Sequence, residues 1–455
     1  MVRSTRKGHE MASIVVKNGL VVTCNKRERM VEGGYVRVDG NRIVDIGEGD
    51  PSEPSDQVID ASGGVIVPGL ITAHTHLYGI LLRGANLGIS PPGDFAQVLQ
   101  RVWWPVDEAL RVEDAYASAL AASAQMLLSG STFFADTYSG PNSIRGSLDA
   151  IARASSETGM RAMIAFEVTE RNSEEEARIG LEEARRFAAR ADAKDGLISL
   201  MTSIHASFTV SDGLIETAVS QAAELGLPLT IHTSEGLVDL YHNLERYGER
   251  TVERLERLGA LGPRTVLAHC VHVDDHELDL IASSGASVAH NPMSNMLNAV
   301  GTAPVPAMLR RGIPVGLGND GWVFDPFENM RCALTVHRLA SGSPSAIGPD
   351  EVWKMATTGG ARCYGLQDRL GSLEVGHLAD MVVLDASRVP TPLTSSSVVG
   401  HLVNTFSARD VAHVIVNGRV VVSKGHLVLA DESRIVQISR QSARDLWNRV
   451  GSKMH

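Results

Sequence analysis

The chain has 455 residues, 44% hydrophobic and 21% charged, which excludes a disordered or fibrous protein. Its formal net charge of -11 lacks the basic excess that nucleic-acid binding usually shows. The 4 cysteines, Cys24, Cys270, Cys332 and Cys363, are scattered with no CxxC pair, which reads as reduced thiols, and no apolar run approaches the ~20 residues of a membrane-spanning helix.

Residues Met1 to Glu10 are polar and basic, without the apolar core of a secretory signal, and read as a frayed tail with no function. Ser13–Val22 is a short β-branched run. Gly34–Ile46 reads as a hairpin turning at Asp39-Gly40, and Val58–Val67 adds another strand. This texture returns near the other end, in Ala379–Asp385 and in Val411–Val422, which turns at Asn417-Gly418. Residues 13–68 and 371–432 are therefore expected to pack together as one β-sandwich, because each part alone is too small to bury much surface. A helix is expected over 433–455, with Ile435, Ile438, Ala443 and Leu446 on its apolar face.

The middle, residues 69–370, has another rhythm. Eight apolar runs alternate with amphipathic stretches: Val65–Leu77, Ser131–Tyr138, Arg161–Val168, Leu197–His205, Leu227–Glu235, Thr265–Val273, Ser287–Asn295 and Pro314–Gly321. That alternation predicts an α/β fold, a (β/α)₈ TIM-like barrel, and no glycine-rich phosphate turn follows the first run to favour a doubly wound sheet. Unusual polar residues stand at or near the C-terminal ends of these runs: His74, His76, His205, His232, Glu235, His269 and Asp320. In a barrel those ends meet at one mouth, where catalytic residues gather. His74 and His76 are two apart on a strand and share a face. With a third imidazole and a carboxylate they would make a site for a divalent metal such as zinc. A purely structural reading would leave five buried ionisable groups facing one cavity without a counter-ion, which is costly.

The ordered motifs VPGLITAHTHL, IHTSEG, LAHCVH, HNPMSN and GLGNDG resemble the amidohydrolase superfamily. More closely they resemble its cytosine-deaminase-like and triazine-hydrolase-like branch, and RVWWPVDEAL at Arg101–Leu110 resembles the SsnA-like aminohydrolases. The resemblance covers nearly the whole chain. It implies metal ligation by His74, His76, His232 and Asp320. It implies an acid–base role for Glu235, a hydrogen bond from His269 to the nucleophilic water or substrate, and a substrate contact for His205. Two-metal members bridge their ions with a modified lysine on the fourth strand. None of the few lysines here ends a barrel strand, and Lys194 precedes the fourth, so one divalent ion is expected, zinc first and iron second. Gly318-Asn319-Asp320 departs from the usual Gly-Thr-Asp, and the segment from Gly321 to Asp325 is bulkier than is common there. The long loop from Tyr78 to Val106 leads to Trp103, Trp104 and Asp107 and also carries Arg83. Trp103, Trp104 and, beyond the last strand, Trp322 are candidate walls for a planar ring.

The implied activity is hydrolytic deamination of an amino-substituted heterocycle of purine, pteridine, pyrimidine or triazine type. Asp320 and Glu235 would move the protons, and His269 would orient the nucleophile. Removal of chloride or an alkylamine from such a ring is the enzymatic alternative, and a non-catalytic scaffold the other. The expected partner is a small-molecule substrate, with no nucleic acid and no membrane, in a cytoplasmic homo-oligomer.

Overall fold

The computed structural model describes residues 12–190 and 196–454. The N-terminal tail and Lys194 lie outside them. Eight parallel strands form a nearly closed barrel: Leu70–Thr75, Ser131–Tyr138, Arg161–Val168, Thr202–Ala206, Leu229–Thr233, Thr265–His269, Ser287–His290 and Val315–Leu317. Each pairs with the next in chain order. The last returns to the first, where the Asn319 amide donates to the His74 carbonyl at 3.0 Å. Every residue of these strands is buried, as helices covering a parallel sheet require. Inside the barrel, Ile71, Ala73, Phe133, Ala135, Met163, Ala165, Met201, Val266 and Ala289 pack into one core, closed by Tyr364 and Leu370.

The first apolar run does not form a single strand. It breaks at Gly69 into Val65–Pro68, which joins the other sheet, and Leu70–Thr75 of the barrel. A Cβ on Gly69 would stand 1.9 Å from the Thr132 hydroxyl, so only glycine lets the chain cross between layers there. The second sheet has nine strands from both ends of the chain. Its path runs His426–Leu427, Arg419–Ser423, Val411–Val416, Met381–Leu384, Val65–Pro68, Ile14–Val22, Met30–Asp39, Arg42–Glu48, with Gln57–Asp60 beside Ile14–Val22. The terminal parts meet where Met381–Leu384 runs antiparallel to Val65–Pro68. One face has its own core, including Val16, Val36, Val38, Ile43, Ile66, Met381, Val383 and Ile415. From the other face, Val65, Val67, Val382 and Leu384 join the large core around the barrel. Asn417 and Gly418 both have positive φ, 52° and 73°, as a two-residue hairpin turn prefers.

The final helix is Glu432–Met454 and lies on the barrel helix Val112–Leu128. Leu446 and Val450 are fully buried, Ser442 Oγ donates to Asp114 Oδ1 at 2.6 Å, and the Trp447 indole donates to the Leu81 carbonyl at 2.7 Å. Among the described residues no helix is long and apolar enough to cross a membrane.

Candidate active site

Ladder geometry sets the aim of the first histidines. Ile71 and Ala73 face the barrel interior, so simple alternation would send His74 outward. The pairing with the second strand slips between Thr72 and Thr75, and that irregularity turns His74 inward. His269 and Asp320 are re-aimed by the backbone itself, with φ of 75° and 55°. Ser234, one residue before Glu235, has φ 47°. Such left-handed conformations at non-glycine residues cost about 1–3 kcal/mol each and cluster at functional sites. Gly318 and Gly321 leave the room: a Cβ on Gly318 would meet Asn291 Oδ1 at 2.2 Å, and one on Gly321 would meet the His76 carbonyl at 2.6 Å.

Asp320 Oδ1 is the hub. It lies 3.3 Å from Nε2 of both His74 and His76 and 3.8 Å from His269 Nε2. His76 Nε2 and His232 Nε2 are 3.1 Å apart. Glu235 Oε2 stands 3.6 Å from His269 Nε2. All of these residues are buried. Ser294 Oγ donates to Asp320 Oδ2 and itself accepts from Asn298 Nδ2 at 3.2 Å. Asn319 turns away, its Oδ1 accepting from the Gly321 amide at 3.1 Å, so the departure from Gly-Thr-Asp braces the turn behind Asp320.

The hydrogen-bond partners fix the imidazole tautomers. His76 Nδ1 is 2.7 Å from the Thr137 carbonyl, and His232 Nδ1 is 2.7 Å from the His205 carbonyl. A carbonyl only accepts, so both rings carry their hydrogen on Nδ1 and point Nε2 lone pairs at one another. His269 Nδ1 is 2.8 Å from Asn295 Oδ1, and its buried Nε2 has no partner. Facing lone pairs, an orphaned imidazole nitrogen and a carboxylate oxygen at one point need a positive charge between them. The electrostatics agree. Burial opposes a charged His76, yet hydrogen bonding and charge from Asp320 push it up to about 10. Burial lowers His74 to about 4. For Asp320 burial favours the neutral form, but the imidazoles of His74 and His76 outweigh it and hold the carboxyl well below its usual range. Burial, then the Asp320 charge, raises Glu235 well above the ordinary glutamate range.

The donor set, imidazole nitrogens plus one carboxylate oxygen, with the Nδ1 atoms of His76 and His232 anchored on backbone carbonyls, fits a zinc-type divalent ion. His74, His232, His269 and Asp320 bring ligand atoms within 4.8 Å of one another, and so do His76, Glu167 and His232. His76 joins the first group through Asp320 and His232. The second group reaches Glu167 on the other side of the His232 ring, where Glu167 Oε2 is 3.7 Å from Nδ1.

A cavity opens from this centre, walled by Tyr78, Trp103, Trp104, Asp107, Glu167 and His205. Both tryptophans face it although they are adjacent, because a wide π-type turn over Leu99–Trp103 runs into the helix Trp104–Ala109. Such turns recur at functional sites. Trp322 is not on the wall; it packs edge-on against Trp103, ring centroids 5.5 Å apart. Arg83 is also turned away, donating to the Trp322 carbonyl at 2.8 Å and lying over the Phe324 ring.

Three carboxylates are additions to the sequence reading. Asp136, on the second strand, accepts from the Leu77 amide at 2.8 Å and holds the turn after His76. Asp239 accepts from the Ser234 amide at 2.6 Å behind Glu235. Glu167, one residue before the end of the third strand, lies beside His205 and His232. The signal for Asp136 and Glu167 was present as a charge inside an apolar strand run.

The amidohydrolase family model matches residues 65–421. The chain is 34% identical over 447 residues to a 5'-deoxyadenosine deaminase of Methanosarcina mazei, covering 97% of this chain and 100% of that one. It is 33% identical over 452 residues to a 5-methylthioadenosine/S-adenosylhomocysteine deaminase of Syntrophobacter fumaroxidans, covering 96% and 99%. Among solved structures, an adenosine deaminase from Xanthomonas campestris with bound zinc superimposes with a TM-score of 0.86 at 26% identity, over 95% of this chain and 98% of that one.

Proposed function

The chain belongs to the amidohydrolase family, an enzyme that deaminates an amino-substituted nitrogen heterocycle with a divalent metal ion, and on that premise we propose that the ring is the adenine of a nucleoside. Two relatives matched along nearly their whole length are named for adenine nucleosides, and this chain keeps a full set of imidazole and carboxylate groups at one mouth. The facing Nε2 atoms of His76 and His232, 3.1 Å apart, carry the reading most directly, because they demand a cation where the reaction needs one.

In this reading His74, His76, His232 and Asp320 hold one ion. Zinc bound there would lower the pKa of a water from 15.7 to about 7 and so supply hydroxide at neutral pH. The residues do the rest. Glu235, kept protonated by burial and by Asp320, donates to the ring nitrogen beside the amino-bearing carbon, which discharges the ring as the carbon becomes tetrahedral. His269, its ring held by Asn295, orients the nucleophile through Nε2. Asp320 receives a proton from the nucleophile and returns it to the departing amine, while Ser294 steadies its other oxygen; as the adduct collapses, the proton of its hydroxyl goes back to Glu235 and the carbon becomes a carbonyl. No serine or cysteine nucleophile is required. Trp103 and Trp104 offer flat faces to the purine. The mouth is walled by aromatic, carboxylate and imidazole groups, and Arg171 is ion-paired with Asp107 of that wall at 3.0 Å.

The test is ammonia release from adenosine, 5'-deoxyadenosine and 5-methylthioadenosine, read beside guanine, cytosine, a pterin and chlorinated and alkylamino triazines. Turnover of adenine nucleosides at least roughly a hundredfold above the rest in kcat/KM is expected. Preference for a triazine, with chloride or alkylamine released, would replace this reading with the other.

A further inference from the structure

Glu167, like Asp107, is a carboxylate of the cavity wall with a buried oxygen that has no hydrogen-bond partner, but unlike Asp107 it has no ion pair with an arginine among the described residues. It is 1% exposed and forms part of the cavity wall. Its Oε2 is buried without a hydrogen-bond partner. His205 Nε2 is 3.9 Å from Oε1, and His232 Nδ1 is 3.7 Å from Oε2, both beyond hydrogen-bond reach. The His232 hydrogen on that side is already given to the His205 carbonyl. Arg171 places Nη2 on Asp107 Oδ2 at 3.0 Å, and it makes no hydrogen bond to Glu167, on which it acts through its charge. Asp107 is thus charge-paired, Asp239 is hydrogen-bonded by Ser234 and Asn243, and Glu235 and Asp320 belong to the reacting centre. Glu167 has the Thr137 hydroxyl and the charges of His76 and Arg171 beside it, yet its Oε2 is left without a hydrogen-bond partner. Such a group is expensive to keep unless a ligand completes it.

The neighbouring ring adds to this. His205 Nδ1 is 2.8 Å from Thr209 Oγ1, whose hydroxyl donates to the Ala206 carbonyl at 3.0 Å. His205 therefore carries its hydrogen on Nδ1 and turns an acceptor nitrogen toward Glu167. Two acceptors side by side leave a gap that only donor hydrogens fill. Glu167 lies on the Nδ1 side of His232, away from the Nε2 atoms that converge on Asp320, so its free oxygen does not share the ion.

We infer that Glu167 is a specificity-determining residue: it takes a hydrogen-bond donor or positive charge on the non-reacting part of the substrate and rejects a carboxylate there. This rests on the adenine-nucleoside reading above. Substrates with hydroxyl, amino or ammonium substituents are favoured, and those ending in an acid are disfavoured by like charge in a poorly solvated pocket.

The experiment compares three nucleosides that differ in charge at the 5' position: 5'-amino-5'-deoxyadenosine, 5'-deoxyadenosine and adenosine-5'-carboxylic acid. Each is assayed with the metal-loaded wild type, Glu167→Gln and Glu167→Asp. Wild type should favour the ammonium over the carboxylate substrate by roughly a hundredfold in kcat/KM. Glu167→Gln should cut that ratio by at least roughly tenfold, chiefly through KM, while Glu167→Asp, which keeps the charge, should hold it within about threefold. Metal content and melting temperature are read for each variant. If Glu167→Gln does not fold, a wild-type preference for the carboxylate substrate overturns the inference by itself. A ratio that Glu167→Gln leaves within tenfold of wild type overturns it also, with adenine deamination left standing. If wild type deaminates no adenine nucleoside, the functional reading fails and this inference falls with it.

Discussion

Glu235 carries the sharpest test at the level of single residues. Nothing in its geometry makes it a required ligand, because His74, His76, His232 and Asp320 already converge on one point. Glu235→Gln should therefore retain the metal by elemental analysis yet lose about 10²–10⁴-fold in kcat, as removal of one positioned acid–base group does. Retained metal with kcat within a few-fold of the parent would move the proton transfer to His269 or Asp320. The groups behind the site should matter less but measurably. Asn295 holds His269 Nδ1 at 2.8 Å, and Asn295→Ala should lower kcat roughly tenfold without loss of metal, the low end for a group that orients an active-site imidazole. These histidines and Asp320 were legible in the sequence because polar residues closing apolar runs stand out. Glu167 and Asp136 showed the same signal, but a lone carboxylate in a run does not reveal whether it faces the barrel or its helices. The positive φ at His269 and Asp320 had no sequence signal, since neither residue demands that conformation.

Among the elements, strands buried on both sides were the easiest to read. Ser131–Tyr138 and Arg161–Val168 match their apolar runs residue for residue, as strands covered on both faces should. The break at Gly69 was hidden because it depends on Thr132, a residue remote in sequence. The wide turn over Leu99–Trp103 was equally hidden, since periodicity does not distinguish it from a loop. One contact ties the two layers together. Arg161, on the third barrel strand, makes paired hydrogen bonds to Asp380, both at 2.8 Å, with both residues buried. Arg161→Met would leave the Asp380 charge buried without its cation, at a cost of about 3–5 kcal/mol. The variant should melt at a lower temperature while keeping wild-type kcat at 25 °C. An unchanged melting temperature would show that the amide of Asn417, which also donates to Asp380, suffices.

The molecule as a whole is a barrel sharing its core with a sheet drawn from both ends of the chain. We propose that 13–68 and 371–432 act as one folding unit with the barrel, because Met381–Leu384 is paired on one side by Val65–Pro68 and on the other by Val411–Val416. Truncation after Leu370 would strip the Val65–Pro68 edge and uncover its apolar face, and the product should be insoluble; a soluble, active truncation would refute the unit. The central claim, that one ion gathered by His74, His76, His232 and Asp320 drives deamination of an adenine nucleoside, has its most direct test in a single titration. Metal-free enzyme is titrated with zinc, and ammonia release from 5'-deoxyadenosine is followed at each addition. The account predicts negligible release without metal, a linear rise, and a break at one ion per chain. Full activity in the metal-free enzyme, or a break at two ions per chain, would contradict it.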